Sequence, residues 1–93
     1  MNVSTVGELA DYLAGQPRDR KIVMAKDAEG NGYSPLAHAA EGMYEATSTW
    51  AGEAYMTPED LAEWMARPDN PGYTDEDAPP DTAERVVFLG PVN

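Results

Sequence analysis

Apolar residues first recur at helical spacing near the start of the chain. Val6, Leu9, Ala10 and Leu13 stand at i, i+3, i+4 and i+7, one stripe of an amphipathic helix. Thr5 and Glu8 have capping-box spacing, in which a hydroxyl and a carboxylate each satisfy a backbone donor at the helix start. Gly15 suits a left-handed stop and Pro17 blocks continuation, so the pattern predicts a helix over 6–14. After a short polar link, Arg18 to Lys21, the run Ile22-Val23-Met24-Ala25 reads as a strand near 22–26. That strand is apolar on both faces, which predicts a central or well-covered position. Asp27-Ala28-Glu29-Gly30-Asn31-Gly32 is dense in turn formers and predicts a hairpin or a longer loop.

Residues 36–46 carry two patterns at once. Leu36, Ala39, Ala40, Met43 and Tyr44 fit a helical stripe, and Ser34-Pro35 suits a helix start. Gly42 opposes a helix by about 1 kcal/mol, and Gly42 to Ala46 reads equally as a strand. Thr47-Ser48-Thr49 forms a turn before Trp50. A second helix near 58–66 opens at Thr57, with Pro58 where a missing N–H costs nothing and Glu59 and Asp60 at the positive end of the dipole. Leu61, Trp64 and Met65 share one face, expected to be core, and Pro68 ends the element. The proline- and acid-rich stretch 69–81 reads as an exposed loop with one turn started by Thr74. Arg85-Val86-Val87-Phe88-Leu89 closes the chain as a strand near 86–89, stopped by Gly90-Pro91. The expected class is α+β: one domain over 1–93, with the strands near 22–26 and 86–89 at the sheet centre and both helices packed on it.

Composition narrows the function classes. Ninety-three residues suffice for a single modest core. The absence of cysteine excludes disulfides, thiolate metal sites and cysteine nucleophiles. No apolar run reaches the roughly 18 residues of a membrane span, and Met1 to Thr5 lack the basic start of a secretory signal. A soluble, cytoplasmic protein is the expectation. The formal charge is −11, and residues 53–84 hold ten carboxylates against one cation, Arg67. Such a segment repels nucleic acid and anionic membranes and favours basic proteins or cations as partners. A homo-oligomer is compatible with the sequence, though nothing in it demands one.

Candidate chemistry is sparse. Asp27-x-Glu29-x-Asn31-Gly32 approximates the start of a calcium loop, with alternating oxygen ligands and a glycine at the sixth position. The match then fails, because the twelfth position is His38 rather than a bidentate carboxylate. The competing reading is a tight turn with incidental acids. His38 is the single histidine, which gives no zinc cluster of the usual type. No Gly-x-Ser-x-Gly elbow surrounds Ser34 or Ser48. Carboxylate pairs such as Glu59 with Glu63 lie on solvated elements rather than in an apolar cleft, so acid–base catalysis is not indicated. No catalytic residue is expected, nor any cofactor apart from a calcium ion at Asp27, Glu29 and Asn31. Trp50, in a Thr/Ser/Gly setting, is the candidate exposed interface anchor.

Several segments taken together carry a resemblance: Thr5-Val6-Gly7-Glu8-Leu9, Asp27 through Leu36, Glu41-Gly42-Met43-Tyr44, Ser48 through Glu53, Thr57-Pro58-Glu59-Asp60 and the closing Val86 through Asn93. The series resembles a family of small accessory proteins, without assigned activity, encoded by actinobacteriophages and their hosts. It spans most of the chain, and the segment from Asp27 to Leu36 is its most specific part. The resemblance implies an actinobacterial cytoplasm and an accessory role during infection, and it favours a strand around Met43-Tyr44. It transfers no catalytic residue.

The leading expectation is therefore a non-enzymatic binding protein. Its acidic surface of Glu59, Asp60, Glu63, Asp75, Glu76 and Asp77, with Trp50 as anchor, would engage a basic patch on a host protein. If that patch normally holds nucleic acid, the protein would act as a decoy for the phosphate backbone. The alternatives are a calcium-stabilised domain and a scaffold whose charge serves solubility alone.

Overall fold

The computed structural model describes residues 2–92 and is α+β: an antiparallel sheet of four strands with two α-helices. In chain order the elements are α1 (Val6–Ala14), β1 (Val23–Ala25), β2 (Tyr33–Ala46), β3 (Gly52–Tyr55), α2 (Pro58–Ala66), a 3-10 turn (Asp75–Asp77) and β4 (Glu84–Pro91). The ambiguous stretch 36–46 is strand throughout. Its Ala-rich, Gly42-containing sequence yields to cross-strand pairing, since β2 is the partner of every other strand. Its first residues pair with β1, as Val23–Pro35 through Ala25–Tyr33, and its last with β3, as Met43–Tyr55 through Ala46–Gly52.

The sheet centre is thus β2, and the expectation that strands near 22–26 and 86–89 are central is overturned. β1 pairs with β2 alone and is an edge of three residues, with Val23 57% exposed. β4 is longer than expected and runs through Gly90 to Pro91 rather than stopping before them. The reason is steric. A Cβ at Gly90 would fall on the His38 imidazole, and one at Gly42 on the Phe88 ring, so each glycine lets a partner side chain cross its strand.

Both helices start where their sequences direct, but at α1 the Glu8 carboxylate accepts from hydroxyls rather than from the backbone donor that a capping box would give it. The Thr5 hydroxyl accepts from Glu8 N–H at 3.1 Å, and the Glu8 carboxylate accepts from the Ser4 and Thr5 hydroxyls. The buried Thr57 hydroxyl accepts from Asp60 N–H at 3.1 Å ahead of Pro58. The end of α1 differs from expectation. Gly15 has φ −87° and closes the helix through its N–H to the Tyr12 carbonyl, without a left-handed residue. The left-handed glycine of this region is Gly30, at φ 72° in the β1–β2 turn.

The chain divides into two compact units. A terminal unit comprises the chain through His38 and from Leu89 onward, and a central unit comprises Ala39–Phe88. Leu61, in the central unit, is the one buried hydrophobic side chain among the described residues, 5% exposed. Trp64 is only half-buried and Met65 is 38% exposed, which corrects their expected place in the core. A nine-residue helix packed by a single buried leucine has little redundancy. Leu61→Ala should cost about 2–3 kcal/mol and lower Tm by at least about 8 °C in a thermal melt. Gly7→Ala should act oppositely. Nothing lies within 4 Å of a Cβ built there, so the substitution should stabilise the fold through helix propensity alone, by up to about 1 kcal/mol, read as a higher Tm.

Candidate functional site

All seven residues expected to form an interaction surface lie in the central unit. Glu59 and Asp60 occupy the first turn of α2, where free backbone donors favour negative charge, and Glu63 shares the Glu59 face one turn on. Asp75, Glu76 and Asp77 form the 3-10 turn. Thr74 caps it, its hydroxyl accepting from Glu76 N–H at 3.2 Å while its own N–H donates to Asp77 Oδ2 at 2.8 Å. The turn is tied to α2 by aromatic contact. The Tyr73 ring lies 5.7 Å from that of Trp64, whose opposite role is to support the Arg67 guanidinium 4.3 Å from the ring centroid. The two acidic segments are therefore neighbours. Asn70, Tyr73 and Pro79 are half-buried, so the segment 69–81 is less exposed than its composition suggests.

Trp50 stands apart at the β2–β3 turn, 86% exposed. The turn is closed by Thr47 and Ser48 N–H groups on the Ala51 carbonyl and by Trp50 N–H on the Ser48 hydroxyl. Among the described residues, no hydrogen bond, ion pair or ring contact joins Trp50 to either acidic segment.

The central unit holds twelve carboxylates and two arginines, a net −10. The terminal unit holds five carboxylates and four cations, a net −1. Both central arginines are engaged inside the unit. Arg67 forks onto Asp69 with two bonds of 3.0 Å, and Arg85 reaches Glu59 at 2.9 Å and Glu41 at 3.6 Å. Asp60, Glu63, Asp75 and Glu76 form no ion pair among the described residues. Their field is left for solvent or a partner.

The calcium-loop candidate is a closed turn. Asp27 Oδ1 accepts from Asn31 N–H at 3.1 Å, and the Asn31 side-chain amide donates to Asp27 Oδ2 and Glu29 Oε2, each at 3.3 Å. The Asn31 backbone donor holds the Asp27 carboxyl below its ordinary pKa. Three N–H bonds thus hold the turn together through Asn31. Among the described residues, no group of three or more His, Cys, Asp or Glu side chains is placed to hold a metal ion.

Sequence reasoning missed an apolar concavity of about 780 Å³ in the terminal unit. Leu9, Tyr12 and Leu13 of α1 line it together with Ile22, Leu36 and Leu89. Arg18, Arg20 and Lys21, read from sequence as a mere polar link, also border it, and no carboxylate does. The available signal was the α1 stripe, none of whose residues is buried.

No family model, curated protein or solved structure matches this chain. No helix among the described residues is long and apolar enough to cross a membrane.

Two measurements follow from the polar contacts. Millimolar calcium should leave Tm unchanged, while Asp27→Ala lowers it with or without calcium; a calcium-induced rise abolished by the substitution would reverse the closed-turn assignment. The second concerns Glu59, whose hydrogen bond from Arg85 keeps its carboxyl below the ordinary glutamate value. A depressed folded-state pKa contributes stability that is present above about pH 4.3 and lost as pH falls through the folded value. Glu59→Gln should therefore lower Tm slightly at neutral pH, as befits an exposed pair, and the difference should vanish on acidification below the carboxylate range.

Proposed function

We propose that this chain is a non-enzymatic binding protein whose central unit engages a basic surface on another protein. The observation that carries the reading is charge segregation: −10 of the formal −11 belongs to residues 39–88, where both arginines are already paired. Unpaired carboxylates on α2 and the 3-10 turn steer a cationic partner over distances near a Debye length, about 8–10 Å. Trp50, at the β2–β3 turn of the same unit, offers a large exposed apolar surface at low entropic cost, the kind of side chain that anchors interfaces. The resemblance to actinobacteriophage accessory proteins suggests a host protein in an actinobacterial cytoplasm as the partner. A partner surface that ordinarily holds nucleic acid would make the protein a decoy for the phosphate backbone.

The test is affinity capture from an actinobacterial lysate at about 50 mM and about 500 mM salt, a range over which surface electrostatics is strongly screened. A basic protein should be retained at low salt and released at high salt. Combining Glu63→Gln, Asp75→Asn and Glu76→Gln should reduce retention at least about tenfold, as should Trp50→Ala, whereas Asp19→Asn in the terminal unit should not. Retention indifferent to those substitutions, or no retention at low salt, would sink the proposal.

A further inference from the structure

We propose that the concavity of the terminal unit is a binding site for a small aliphatic anion, a hydrocarbon chain that ends in one carboxylate-type head group. Every residue that lines it belongs to the terminal unit, so the site is complete within one body. Its volume of about 780 Å³ lies within the roughly 300–1,000 Å³ of small-molecule sites. The apolar wall is mostly aliphatic, with Leu9 and Leu13 of α1, Ile22, Leu36 and Leu89 beside the single ring of Tyr12. None of these six side chains is buried. The amphipathic stripe of α1 therefore keeps apolar surface that a hydrocarbon chain would remove from water.

Charge selects the occupant. The chain has 17 carboxylates and 6 Lys or Arg side chains, yet Arg18, Arg20 and Lys21 all border this concavity and no carboxylate among the described residues does. Asp19 lies between the two arginines in sequence and is not part of the lining. None of the three cations forms an ion pair among the described residues, whereas Arg67 and Arg85 are both paired. An apolar cavity with an unneutralised positive border repels a cation and offers a neutral ligand no matching charge. It suits an anion with an apolar body.

Gln16, which also lines the concavity, prepares that border. Its half-buried side chain accepts from Arg20 Nη1 at 2.9 Å, which restrains the guanidinium while leaving its charge intact. A guanidinium fork matches a carboxylate with two parallel bonds, and a lysine adds a compact charge. The stems of the three cations can cover the apolar wall while their heads hold the anionic group at the solvent edge. The site is independent of what the central unit binds.

Calorimetric titration of the full chain with decanoate should show saturable binding. Decanol should bind at least about tenfold more weakly, and decyltrimethylammonium more weakly still. Combining Arg18→Gln, Arg20→Gln and Lys21→Gln should lower decanoate affinity at least about tenfold and leave that of decanol unchanged, a split that loss of fold would not produce. In the unaltered protein, decanoate should shift the amide NMR signals of α1 and residues 18–22 and leave those of α2 in place. Equal affinity for the three head groups would overturn the proposal, as would shifts centred on α2 or a lack of saturable binding. Binding to phosphatidylglycerol vesicles but not to free decanoate would replace it with a membrane surface. A self-associated chain in which α1 and residues 18–22 are already protected from hydrogen exchange, and decanoate does not bind, would replace it with a second copy.

Discussion

Tyr33–Ala46 supplies the hydrogen-bonding partner of all three other strands, so the pairing of this one fourteen-residue segment determines the sheet. Its side chains explain how it can serve so many neighbours. Gly42 leaves room for the Phe88 ring of β4, and Gly52 of β3 leaves room for the Tyr44 ring of β2. His38 crosses Gly90 of β4 in the same way. In each case a glycine on one strand accommodates a ring from the other, so close pairing does not require either ring to leave its strand. The weak intrinsic strand preference of Ala37, Ala39 and Ala40 is outweighed by the cross-strand pairing of the strand that contains them.

This is also where the sequence was least legible. Helix starts were readable because they are local: Thr5 with Glu8, and Thr57 with Pro58, satisfy donors within one turn of themselves. The strand identity of 36–46 depends on residues up to fifty positions away, which hydrophobic periodicity within the segment does not encode. The same limit applies to β1. Its four apolar residues look like a buried strand, yet a strand's position in a sheet is set by how many partners find it, and β1 has one. At the candidate site, the charge and the exposure of Trp50 were legible. The ring contact between Trp64 and Tyr73 was not, and neither was the use of Arg85 to hold Glu59 and Glu41, since both cross a loop or an element.

Segregation of charge and segregation of apolar exposure are complementary features of the same chain. The central unit carries nearly all the net charge and, among the described residues, the one buried hydrophobic side chain; the terminal unit carries little net charge and most of the exposed hydrophobic ones described. A strongly charged unit resists association with its own kind and remains open to a cationic partner. Uniform mixing of the same residues would weaken both tendencies.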